Sequence, residues 1–149
     1  MSARKGENME DRYLFKAKRL DNGEWVTGSL ITCEDGTYKI ATSYLDGDTN
    51  IAILICAYEV DRDTICQCAG LKDKNGKLIW ENDIIAYWDT YSTENGMAEA
   101  DCIGKVFWDN ETMSFVVTNR LSAESYEVLD ECSVIGNIFD NPELLESEE

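Results

Sequence analysis

The stretch Gln67-Cys68-Ala69-Gly70-Leu71-Lys72-Asp73-Lys74-Asn75-Gly76-Lys77-Leu78-Ile79-Trp80-Glu81-Asn82-Asp83-Ile84-Ile85 decides how this chain folds. It reads as a short strand and turn over residues 64–70, a hairpin over 71–80 and a further strand over 83–88. Asn75-Gly76 marks the hairpin turn, because both residue types tolerate the positive φ that tight turns require. Gly70 serves a second turn, Leu71 and Ile79 face the core, and Asp83 caps the turn into the next strand. The extended segments are too short for helices and are separated by strong turn formers.

The same grammar continues on both sides. Residues 12–20 alternate Tyr13, Phe15 and Ala17 with Leu14, Lys16 and Lys18. Asp21-Asn22-Gly23 then predicts a two-residue hairpin turn into 24–31. Asp35-Gly36 precedes another alternating run over 37–44. Residues 45–50 form a polar loop, and 51–60 form a continuous apolar run whose β-branched content favours a buried strand. Downstream, 89–99 reads as a polar, acidic loop. Residues 102–108 and 112–119 flank Asp109-Asn110-Glu111 as a third hairpin. Residues 121–132 are polar and partly helical in character, 134–139 form a last strand, and Asn141-Pro142 opens a short terminal turn or helix. Short strands with a turn about every ten residues predict an all-β or β-dominated single domain. The segment 79–139 resembles a small SH3-like barrel. The expected organisation is a frayed segment over 1–11, one β-rich domain over 12–145 and an acidic tail over 146–149.

Charge narrows the function. Lys and Arg number 13 against 30 Asp and Glu, giving a formal net charge of −17. Residues 1–20 hold six basic and three acidic side chains, so the other 129 residues carry −20. Residues 81–104 contain six acids and 121–149 contain nine, with no basic residue in either segment. Such a surface repels phosphate backbones and attracts basic proteins, or else serves only to keep the protein soluble. The candidate acidic interaction surface is Asp89, Glu94, Glu99, Asp101, Glu124, Glu127, Asp130 and Glu131.

Chemistry-bearing motifs are sparse. The chain has no histidine, which removes Ser-His and Cys-His pairs and the commonest general base. Cys66-Gln67-Cys68 has one intervening residue where zinc knuckles have two. Asp46-Gly47-Asp48-Thr49-Asn50 begins like a calcium loop, but the sixth position is Ile51 and the twelfth Ala57. The six cysteines follow a polar N-terminus without a secretory h-region, and no run reaches membrane-span length. They are read as reduced packing residues of a cytoplasmic protein, with no cofactor and no membrane partner. The few cations cluster at Arg12, Lys16, Lys18 and Arg19 and at Lys72, Lys74 and Lys77. If the clusters converge they form an anion site; otherwise they are solvated strand faces.

Three segments resemble the YopX family. Residues 67–85 are similar to its hallmark, in which Gly70, Leu71, Asp73, Asn75, Gly76, Ile79, Trp80, Glu81, Asp83 and Ile84 occupy motif positions. Residues 12–28 are similar to its opening. Residues 134–145, with Gly136, Asn137, Asn141 and Pro142, are similar to its close. The chain departs from the hallmark with Cys68-Ala69 for Tyr-Thr and Asn82 for a glycine. Asn tolerates the left-handed backbone, so the turn is expected to survive. The resemblance implies a β-rich fold and an origin in phages or prophages. It implies no catalytic residues.

Three functions compete. The first is a non-enzymatic accessory protein that binds a host or phage protein by its acidic surface, in the manner of a DNA mimic. The second is a small-ligand binder, for instance of a nucleotide signal, with Trp25, Trp80, Tyr87 and Trp88 available for stacking. The third is a metal-dependent hydrolase built on carboxylates. An exposed strand edge would favour a homo-oligomer.

Overall fold

The computed structural model describes residues 9–45, 52–119, 122–128 and 131–146. The chain is β-dominated, with antiparallel sheets. The helical segments among the described residues are single 3-10 turns, at Met9–Tyr13, Arg62–Thr64 and Pro142–Leu145. The backbone falls into two compact units, one over residues 10–68 and the other from Ala69 onward.

The first unit contains β1 (Phe15–Lys18), β2 (Trp25–Thr32), β3 (Tyr38–Leu45), β4 (Ala52–Val60) and the start of β5 (Cys66–Lys72). Their order across the sheet is β4-β3-β2-β1-β5. Arg19 bridges Val60, the Leu20 amide donates to the Glu59 carbonyl, and the Asp61 amide donates to the Lys18 carbonyl. The sheet therefore curls until its first and fourth strands meet at one corner. Ala17, Ile40 and Val60 are buried there, with Phe15, Val26, Leu30, Tyr38 and Ile65 packed around them. The apolar run predicted over 51–60 is the strand β4. The β1–β2 turn is wider than predicted: Arg19 and Glu24 close a four-residue loop, and of Asn22 and Gly23 only the glycine is left-handed, at φ +74°. Asn22 contributes its side-chain oxygen instead, accepting from the Glu24 amide at 2.9 Å.

The second unit contains β6 (Leu78–Trp80), β7 (Asp83–Thr93), β8 (Gly96–Asp109), β9 (Ser114–Asn119), β10 (Ser122–Glu127) and β11 (Ser133–Asn137). β6 pairs with β5, and the other five form a sheet in the order β10-β9-β8-β7-β11. One face of that sheet buries Ile85, Val106 and Val117, joined by Ala69, Ile79, Val128 and Cys132. Leu71, Tyr87, Phe115 and Val134 seal the edge of this core.

Three expectations change here. Among the described residues the five strands do not close into the SH3-like barrel expected over 79–139. The expected acidic loop at 89–99 is instead the distal part of a long hairpin, with Asp89 opposite Ala100 and Thr93 opposite Gly96. Its β-forming Thr90-Tyr91-Ser92-Thr93 run and its Asn95-Gly96 outweigh the polarity that suggested a loop. Finally, the polar segment read as partly helical forms β10, which pairs with β9. The calcium-like stretch 46–50 lies outside the described residues.

Candidate functional site

The hallmark residues build two hydrogen-bonded turns. The Asp73 amide donates to the Lys77 carbonyl and the Gly76 amide to the Asp73 carbonyl, closing a three-residue loop between β5 and β6. Gly76 takes φ +83°, as the last residue of such a loop requires. Asp73 is 5% exposed. Its Oδ1 accepts from the amides of Asn75 and Lys77, both at 2.9 Å, and its Oδ2 accepts from the Val134 amide at 2.8 Å. One carboxylate thus fixes the turn and ties it to β11. Desolvation pushes the Asp73 pKa up, but the three amides and the charge of Lys77 outweigh it and hold the group below the ordinary aspartate value. Asn75 adds a side-chain bond to the Ser133 hydroxyl.

The next turn is built the same way. Asp83 is 2% exposed and accepts from the Trp80 amide at 2.8 Å. Asn82 occupies φ +72°, the left-handed region where the family pattern has glycine. Its amide donates to the Val106 carbonyl and its carbonyl accepts from the Ile138 amide. Ile79, Trp80 and Ile84 are buried, and Glu81 is half-buried. Gly70, expected in a turn, instead lies inside β5 as a left-handed kink at φ +81°.

In the closing motif, Asn137 Oδ1 accepts from the amides of Phe139 and Asp140, both at 2.9 Å. Asn141 Oδ1 accepts from the Asn137 amide at 3.2 Å. Gly136 admits that carboxamide: a Cβ there would lie 2.6 Å from Asn141 Oδ1. Pro142 starts the terminal 3-10 turn, where its missing N–H costs nothing. These closing-motif residues hold a turn.

The candidate acidic surface is different in kind. Glu94, Glu99, Asp101 and Glu131 are exposed. The side chains of Asp89, Glu124 and Glu127, and all of Asp130, lie outside the described residues. Glu94 sits in the two-residue turn of the β7–β8 hairpin, while Glu99 and Asp101 alternate outward along β8. Trp88, 58% exposed and directly opposite Asp101, and Met97, 68% exposed, share this hairpin. Met97 was not anticipated from sequence. Its spacing of two and four residues from Glu99 and Asp101 is the signal that a strand reading of 96–103 would have exposed.

The residues proposed for base stacking differ in setting. Trp80 is buried, Tyr87 packs against the core and Trp88 is exposed. Trp25 belongs to the first unit, where the Lys16 and Lys18 ammonium groups lie 4.7 Å and 5.4 Å from its ring centroid. The Arg19 guanidinium lies 4.0 Å from the Tyr58 ring and pairs with Asp21 at 2.6 Å. Lys72, Lys74 and Lys77 are exposed on the second unit. No disulfide joins the six cysteines; Cys66, Cys68, Cys102 and Cys132 are buried, and Cys33 and Cys56 are half-buried. Among the described residues no three Cys, Asp or Glu side chains gather around a common point suited to a metal ion. No helix there is long and apolar enough to cross a membrane.

The family model described as YopX protein matches residues 14–146. No curated protein matches the chain. Among solved structures, the chain is similar to protein EF1440 from Enterococcus faecalis, at 26% identity over 89% of this chain and 96% of that one, with a TM-score of 0.44. The family match spans the hallmark, the opening strand and the closing Asn137–Asn141 turn described above, and the chain belongs to the YopX family.

Proposed function

We propose that this chain is a non-enzymatic accessory protein of phage or prophage origin that works in the bacterial cytoplasm by binding. Its target is a host or phage protein with a basic, nucleic-acid-binding surface, which it occupies as an acidic mimic of DNA. The observation that carries this reading is the exposed acid set Glu94, Glu99 and Asp101 on a hairpin whose residues 81–104 include no basic side chain. Like charge disfavours direct contact with nucleic acid, and a cationic protein groove complements it. Mixing the purified chain with basic DNA-binding proteins at low and high salt tests it. The expected result is a complex that weakens as salt rises, because exposed charges are screened over about 10 Å at 0.1 M ionic strength. No complex at either salt concentration overturns the proposal.

A second reading, sequestration of a small nucleotide signal, draws on Trp25 with Lys16 and Lys18 stacked against it. A thermal-shift screen with cyclic nucleotides separates the two. A nucleotide present at 100 times its Kd adds about 2.7 kcal/mol of stability by mass action. The absence of any shift removes the second reading.

A further inference from the structure

Among the described residues, the β7–β8 hairpin runs well past its neighbours. β11 pairs with β7 only over Asp83 to Ala86, and β9 pairs with β8 only over Gly104 to Asp109. Between these limits β7 and β8 pair with each other up to Thr93 and Gly96. The result is a two-stranded ribbon beyond the five-stranded sheet, about 23 Å long at roughly 3.3 Å per residue. Isolated two-stranded ribbons are marginal in water. This one also carries Trp88 and Met97 in the open, with Glu99 and Asp101 exposed beside them.

We infer that this ribbon is the docking arm of the protein, and that it takes an arginine-rich protein surface. The inference rests on the binding function proposed above and assigns it to a place. Trp88 directly opposite Asp101 pairs an aromatic face with a carboxylate. A guanidinium satisfies both, stacking on the ring while donating to the carboxylate. Trp and Arg are also the residue types that dominate binding energy at interface centres. Charge disfavours the other occupants: a second copy of the chain carries a net charge of −17, and nucleic acid and anionic lipid bring phosphate. A basic protein surface is complementary throughout.

The test is fluorescence anisotropy with a labelled peptide carrying arginine at alternate positions, and its glutamate counterpart as control. Four forms of the full chain are compared: unaltered, Trp88→Ala, the charge reversal E99K/D101K, and the matched reversal E34K/E59K at exposed acids of the first unit. Circular dichroism establishes that each is folded. The unaltered chain should bind the arginine peptide in a salt-sensitive way and ignore the glutamate peptide. Trp88→Ala should weaken binding about 5- to 10-fold, in line with one desolvated cation–π contact. E99K/D101K should abolish it, and E34K/E59K should leave it within about twofold. If E34K/E59K weakens binding as much as E99K/D101K, or Trp88→Ala has no effect, the arm is not the site, although acidic binding stands. If the unaltered chain binds no arginine peptide, both the arm and the binding function proposed above fail.

Discussion

The two ends of the β7–β8 hairpin follow different rules. At its base, Asp83 is buried and bonded to the Trp80 amide, Asn82 holds a left-handed turn, and Ile84 and Ile85 are at most 1% exposed. At its tip, Glu94, Glu99 and Asp101 face water, and Trp88 and Met97 have more than half their surface open. Acidic residues occur at both ends, but buried carboxylates that accept backbone amides specify a fold, whereas exposed ones in a ribbon without a core do little for stability. The family match reaches from residue 14 to 146 and so includes both. The difference between them is physical, and substitutions can separate it.

The largest expected effect is at the base. Ile85→Ala removes a side chain from the core of Ile79, Val106 and Val117 and should cost about 3 kcal/mol in urea unfolding. A cost below about 1 kcal/mol would mean that the sheet's inner face is looser than its burial indicates.

Asp73→Asn comes next. It leaves one of three amide bonds without its acceptor and removes the charge from the others, for an expected loss of about 2 kcal/mol. The same change should alter the pH profile. The Asp73 pKa is depressed in the folded state, so its contribution is fully present above the unfolded value of about 3.9 and is lost as pH falls through the folded value. The acid limb of stability below about pH 4 should therefore be shallower in Asp73→Asn, as read from urea midpoints across pH. Asp21 and Asp35 are also depressed, through Arg19 and Thr37 respectively, but both are exposed and are expected to contribute less.

Asn82 gives a smaller and more selective effect. At φ +72°, Asn82→Ala should cost about 1 kcal/mol, while Asn82→Gly should stay within about 0.5 kcal/mol of the parent. Equal effects of the two would show that the side chain, not the backbone conformation, matters at this turn.

Much of the base was legible in the sequence because its signals are local. Asn75-Gly76, the Asn82 substitution and Pro142 each constrain the backbone where they stand, and the turns appear at those places. The Asp73 bond to Val134 spans 61 residues, so no local rule could pair them. The arm was missed for the opposite reason. Asp89, Glu94 and Glu99 dilute the apolar alternation on which strand reading depends. The barrel expected over 79–139 followed from the succession of a turn at Asp83, a short strand, a wide loop and a hairpin, which does not specify whether β10 and β11 meet. The acids were identified individually; their exposure beside Trp88 and Met97 depends on cross-strand register.

The smallest stability effects belong to the tip. Trp88→Ala and E99K/D101K should each change unfolding free energy by less than about 0.5 kcal/mol, because neither side-chain set is buried.

The most direct test of this division removes the tip beyond Trp88 and Asp101. Residues 89–100 are replaced by Asn-Gly, a two-residue turn suited to join Trp88 to Asp101 across their existing register. Equilibrium urea unfolding of this shortened chain should give a free energy within about 1 kcal/mol of the parent, since the base keeps its core and its carboxylate bonds. A loss of several kcal/mol, or failure to fold, would show that the ribbon supports the sheet and would contradict its assignment as an arm kept for binding.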